Sequence, residues 1–163
     1  MEKKSQRTVK RFWVKKDENS LKHWYRVRNP LRVIMNFLVI WLAKYCPSLT
    51  FKRWLYRLVG VKIGRGVSVG LGVTFDIFFP GLIEIGDNSI IGYDSLILTH
   101  EFLMKEWRKG KVKIGKNVMI GAWSLIMPGV KIGDGAKIAS YSLVNRDVKA
   151  GEFVGGVPAR KIK

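Results

Sequence analysis

The chain has 163 residues, a net charge of +18 and 47% hydrophobic residues. That length bounds it to one domain with room for an appended segment, and that composition excludes disorder over most of it. One cysteine, Cys46, excludes an internal disulfide, and its apolar surroundings point to an inert thiol in a reducing compartment.

The charge is unevenly spread. Residues 1–62 carry 16 Lys/Arg against 3 Asp/Glu, and residues 63–163 carry 14 against 9. The basic field therefore belongs to the N-terminal third. It can attract nucleic acid, anionic lipid or an acidic ligand, or act only as a soluble surface. The first twenty residues are charged and lack the apolar core of a secretory leader. The longest apolar run, residues 33–43, is too short to cross a bilayer and contains Asn36.

In chain order, residues 1–28 read as a polar, basic arm interrupted by Phe12, Trp13, Trp24 and Tyr25. A helix is expected from Pro30, a favoured first helical residue, to a stop before Pro47. It is apolar almost all round, so something should cover it. A second, amphipathic helix should follow, with Ser48 as its N-cap, Leu55, Leu58 and Val59 along one face, and Gly60 as its stop.

Past Gly60 the period becomes six. An aliphatic residue recurs at Ile63, Val69, Ile85, Ile91, Ile97, Ile114, Ile120, Ile126, Ile132, Ile138 and Val144, with Phe75 keeping the register. A small residue usually follows it. Neither a helix nor a simple alternating strand produces this spacing. Six residues make a short strand and a corner, and three such units close one triangular coil. Coils stacked about 4.8 Å apart pair each backbone with its neighbours. Gly, Asn and Asp in "IGRG", "IGDN", "IGKN" and "IGDG" supply left-handed backbone angles at the corners. The twelve units make four coils of a left-handed parallel β-helix, an all-β fold with a helical N-terminal extension. The chain thus divides into a basic arm with helices over 1–60 and the β-helix over 61–163. Helices and C-terminal tail are placed to close its ends.

The register slips twice. Ten residues separate Phe75 from Ile85, and seventeen separate Ile97 from Ile114. Both excursions follow the third unit of a coil, so they leave the prism at the same corner, one coil apart. Loops carried on a rigid scaffold are where function concentrates. His100, one of two histidines, stands at the foot of the longer loop, and Asp76 at the foot of the shorter. Asp76 could orient His100 or bind an acceptor, or be a capping carboxylate. Glu101 is a weaker candidate for acceptor binding.

The stretches "IGDNSIIGYDSLILTHEF", "IGKNVMIGAWSLIMPGVKIGDGAKIASYSLVNRD" and "FVGGVPARKIK" closely resemble the hexapeptide-repeat acyltransferases, above all the maltose and galactoside O-acetyltransferase branch. The resemblance covers residues 60–163, and the helical extension is similar to that of prokaryotic members. It implies a homotrimer that binds acetyl-CoA in grooves between neighbouring prisms. It also implies that His100 is the general base, taking the proton of an acceptor hydroxyl or amine that attacks the thioester directly. Carried over one position at a time, it implies cofactor contacts at Ala122, Ser140, Asn145, Arg146, Arg160 and Lys163. Small side chains there would admit the pantetheine arm and cations would meet phosphates. The chain departs from the family in two places. Met119 stands where the family has tryptophan, and "GLGVTF" lacks the asparagine used by the sugar acetyltransferases. A pocket near Trp107, Met119 and Trp123 could admit more than acetyl.

Metal-dependent carbonic anhydrases share this prism but need three histidines; this chain has two, so no metal is expected. The alternative is a non-catalytic β-helix binding a membrane surface or nucleic acid through its basic N-terminal region. No nucleic-acid motif appears. Tryptophan, tyrosine and basic residues flanking an apolar helix suit peripheral membrane contact. The expectation is a cytoplasmic acetyltransferase acting on a small-molecule acceptor, such as a sugar or cell-envelope precursor, with contact at the inner membrane face.

Overall fold

The computed structural model describes residues 7–14 and 18–162. Lys163 therefore lies outside the described residues.

The six-residue register holds at every expected position. Ile63, Ile85, Ile114 and Ile132 align in parallel on a first face. Val69, Ile91, Ile120 and Ile138 align on a second. Phe75, Ile97, Ile126 and Val144 align on a third. All twelve are buried, and together they form the core of a left-handed parallel β-helix. The residue two places before each of them is buried too. Four of those are serines, whose hydroxyls donate to corner carbonyls, as Ser89 Oγ does to Gly115 O at 2.9 Å. A buried hydroxyl needs such a partner, so this inner row can be polar without loss.

At the corner between the first and second faces, Gly66, Asn88, Asn117 and Gly135 take positive φ, as their motifs predict. The next corner is less expected. Trp123 (φ 60°) and Tyr141 (φ 57°) occupy the left-handed region that bulky residues avoid. Their rings stack, 6.0 Å apart and 4° from parallel. Beyond Val144 the winding continues into part of a fifth coil. Val148 bridges to Ile132. Phe153–Gly155 then extends the second face, and Arg160–Lys161 turns back antiparallel on it.

Two helices close the other end. Helix α1 (Pro30–Tyr45) begins with Asn29 accepting from the Leu31 N–H. Helix α2 (Leu49–Leu58) begins with Ser48 accepting from the Phe51 N–H and ends at Gly60, φ 96°. Ile40 and Ala43 of α1, with Leu55 and Tyr56 of α2, join the prism core. The Tyr56 hydroxyl donates to Val73 O at 2.9 Å, and the buried Lys52 ammonium to Gly70 O at 2.9 Å. Burial pushes the Lys52 ammonium below the usual lysine range.

The outer side of α1 defies the expectation that it be covered. Leu31, Ile34, Met35, Leu38, Trp41 and Leu42 are all exposed, Leu31 to 73%. Among the described residues of the N-terminal arm, the aromatics Phe12 and Trp24 do find a surface. Strand β1 (Lys10–Trp13) pairs with the excursion after Ile97, which folds as a hairpin of β2 (His100–Phe102) and β3 (Glu106–Lys109). The order is β1-β3-β2, antiparallel throughout. Ser20–His23 and Trp24–Val27 follow as short helical turns, capped by Asn19.

Candidate active site

The two excursions do leave the prism at one corner, and they converge on one carboxylate. Asp76 is 2% exposed. Its Oδ1 accepts from the backbone N–H groups of Phe78 and Phe79, at 2.8 and 2.9 Å. Its Oδ2 accepts from Thr99 N and His100 N, at 2.8 and 3.0 Å, and lies 2.5 Å from His100 Nδ1. Burial pushes this carboxyl up. The His100 hydrogen bond, the attraction of that ring when protonated and the backbone donors outweigh burial and hold it below the usual aspartate range. A carboxylate only accepts, so Nδ1 carries a hydrogen and the lone pair of a neutral ring sits on Nε2.

Aromatic rings enclose the imidazole. Phe78 lies 4.4 Å from it, Phe102 5.0 Å and Phe79 6.1 Å, centroid to centroid. Trp107 stacks on Phe12 at 4.1 Å and on Phe79 at 6.0 Å, and Lys109 Nζ sits 4.6 Å from the Phe79 centroid. The His100 side chain keeps 11% exposure. Among the described residues Nε2 has no partner, so the arrangement is a held imidazole with one nitrogen free in an apolar surround, which suits a general base.

The sequence-predicted site residues are spread over the chain. Both oxygens of Asp76 are taken by the donors above, His100 Nδ1 among them. Glu101 is an ion-pair hub, accepting from Arg7 at 2.9 Å and lying 3.4 Å from Arg108. Ala122 and Ser140 stack at the corner between the second and third faces, where Tyr141 N donates to Ala122 O. Asn145 and Arg146 follow the third face, on the corner that carries His100. Asn145 is exposed. Arg146 bonds Glu152 Oε1 at 3.3 Å and the carbonyls of Asp147 and Ala159, so it ties the tail to the last coil. Arg160 is exposed on the terminal strand. Trp107, Met119 and Trp123 lie on the hairpin, the second face and the following corner, so one chain forms no acyl pocket from all three.

The aromatic enclosure was missed from sequence. Its only local signal is the density of rings in "FDIFFPGLIE" and "EFLMKEW". Among the described residues, no group of three or more His, Cys, Asp or Glu is placed to hold a metal ion.

Comparison with known proteins agrees with the fold. The family described as bacterial transferase hexapeptide (six repeats) matches residues 111–146. YvoF of Bacillus subtilis (strain 168), whose name assigns it provisionally to the acetyltransferases, is 51% identical over 145 residues, 88% of this chain and 84% of that protein. A hexapeptide-repeat acetyltransferase of Vibrio cholerae O1 biovar eltor, solved with acetyl coenzyme A, superposes with a TM-score of 0.63 at 19% identity over 82% of this chain and 86% of that one. A galactoside acetyltransferase solved with coenzyme A gives 0.60 at 21% identity over 82% and 80%. A repeat that builds the column, a dyad where the column opens, and a relative sharing half its residues over most of both chains agree: the chain belongs to the hexapeptide-repeat acetyltransferase family.

Proposed function

We propose that the protein transfers an acetyl group from acetyl-CoA to an acceptor hydroxyl or amine, with His100 as general base and Asp76 as its positioning residue. The observation that carries this reading is the 2.5 Å contact between His100 Nδ1 and a carboxylate already holding four backbone donors. That carboxylate turns Nε2 outward. Nε2 takes the acceptor proton as the acceptor oxygen or nitrogen attacks the thioester carbonyl. A backbone N–H steadies the oxyanion. The carbon–sulfur bond then breaks, and the thiolate recovers the proton from the imidazolium.

The reading includes a homotrimer with sites between subunits. His100 stands at the corner after the third face, while Ala122 and Ser140 stand at the corner before it. The two corners flank the third face of one prism, and apposed corners of neighbouring prisms would bring them together across a groove. On the second face, Ile90, Met119 and Phe153 are exposed apolar side chains that such a contact can cover, with Lys137 between the last two. Small side chains at Ala122 and Ser140 suit the pantetheine arm, and the exposed guanidinium of Arg160 suits a phosphate. The acceptor is a sugar or cell-envelope precursor, met in the cytoplasm where acetyl-CoA is made.

The deciding experiment follows thiol release from acetyl-CoA over a panel of sugars, amino sugars and lipid-linked acceptors. With the best acceptor, His100→Ala lowers the acceptor-dependent rate by about 10²- to 10⁴-fold while coenzyme A binding, read by calorimetry, persists. An unchanged rate overturns the assignment of the base.

A further inference from the structure

Helix α1 carries two apolar stripes. Val33, Asn36, Ile40 and Ala43 face inward, with the Asn36 amide donating to Ile77 O at 2.8 Å. The opposite stripe, Leu31, Ile34, Leu38, Trp41 and Tyr45, recurs every three or four residues and is exposed along its whole length. Neighbouring α2 leaves Leu49, Phe51, Trp54 and Leu58 exposed as well. Soluble surfaces rarely leave so many large apolar side chains contiguous, and such patches mark an interaction site.

Charge identifies the partner. Residues 19–61 contain eight Lys/Arg and no Asp or Glu. At the N-terminal end of α1, Arg26, Arg28 and Arg32 line an open groove of about 600 Å³, together with Tyr25, Leu31 and Met35. Lys44, Arg53 and Arg57 lie at the other end of the pair and along α2. A second copy meeting this face symmetrically would set cations against cations. An anionic lipid surface meets both requirements: it takes the apolar stripe and neutralises the rim. Tyr25, Trp41, Tyr45 and Trp54 supply the amphipathic rings that favour the headgroup zone. No helix among the described residues is long and apolar enough to cross a membrane, so contact is in the plane of the surface.

We propose that the outer face of α1, with the adjoining side chains of α2 and the arginine groove at its N-terminal end, docks the protein on an anionic phospholipid bilayer. This narrows the membrane contact from the whole basic N-terminal region to the helical cap and the arginines just before it, since strand β1 is tied into the β1-β3-β2 sheet. It stands independently of the catalytic reading, because docking needs no turnover.

The test is co-sedimentation of the full-length protein with vesicles of phosphatidylcholine alone and of phosphatidylcholine mixed with phosphatidylglycerol. Binding to the mixed vesicles and not to phosphatidylcholine alone, weakening as salt rises, is expected. Arg26→Gln with Arg32→Gln weakens it about 25-fold, at roughly fivefold per cation. Leu38→Glu with Trp41→Glu abolishes it, with thermal melting, oligomeric state by light scattering and thiol release from acetyl-CoA unchanged. A second readout uses wild-type protein: brominated acyl chains in the mixed vesicles quench tryptophan emission, and Trp41→Phe reduces the quenched share. The proposal is overturned if wild-type protein stays in the supernatant at low salt. It is equally overturned if the double glutamate variant binds normally, or if that variant dissociates the oligomer, which would make the face a contact between copies.

Discussion

Oδ2 of Asp76 sits 2.5 Å from Nδ1 of His100, across 24 residues of sequence. The same carboxylate holds the first turn of both excursions, so it fixes the ring and the loops in one contact. Asp76→Asn replaces one acceptor oxygen by an amide that must face backbone donors whichever way it turns. We expect kcat to fall by about 10²-fold or more, with KM for acetyl-CoA unchanged, and stability to fall by about 2–4 kcal/mol. A purely structural carboxylate would lower the folded fraction without that split between kcat and KM.

Acid should expose the same contact. Burial raises the Asp76 carboxyl, but His100 and the backbone donors hold it below its ordinary value of 3.8. A depressed folded-state value means the stabilisation is fully present above 3.8 and drains away as pH falls through the lower, folded value. Thermal melting of wild type and Asp76→Asn from neutrality downward should show a constant gap that closes only below that point. A gap that closes well above it would contradict the sign.

Glycines should divide into two kinds. A Cβ on Gly121 would meet Ser140 N of the next coil at 2.4 Å, a backbone atom that can move only if the coils part. Gly121→Ala should cost about 2–4 kcal/mol and disturb the Ala122–Ser140 corner. Gly135 has φ 69° and nothing within 4 Å of its Cβ position, so Gly135→Ala should cost only the left-handed backbone strain, about 1–2 kcal/mol. Denaturant midpoints of the two variants give the comparison.

The hairpin beside His100 leans on the N-terminal strand. Phe12 stacks on Trp107 at 4.1 Å, and Arg7 pairs with Glu101 at 2.9 Å. Phe12→Ala should speed amide exchange in Glu106–Lys109 by about tenfold, for a local loss of about 1.4 kcal/mol, and leave the coils protected. Uniform acceleration across the prism would show that the strand supports the whole fold instead.

The prism was legible because its code is local. Six residues decide each strand and corner, and the aliphatic and asparagine or glycine positions declare themselves without reference to distant chain. The helix limits were legible for the same reason, through Pro30, Ser48 and Gly60. The excursion corner could be counted from the register, which put Asp76 and His100 together before any coordinate. Distant pairings were not legible. Lys10–Trp13 joins Glu106–Lys109 across most of the fold, and nothing in either segment names the other. The pairing of Arg146 with Glu152, six residues on and across the turn into the tail, was equally unannounced. Trp123 and Tyr141 hold left-handed turns where glycine or asparagine is the usual choice, and only their mutual stacking makes that intelligible.

One apolar cluster joins the cap to the site. Val33 of α1 packs in the same cluster as Phe78, and the Phe78 ring lies against His100. The seating of the helical cap and the lining of the imidazole are therefore one packing problem, and a change in how α1 rests on the prism reaches the ring beside the base through a single side chain.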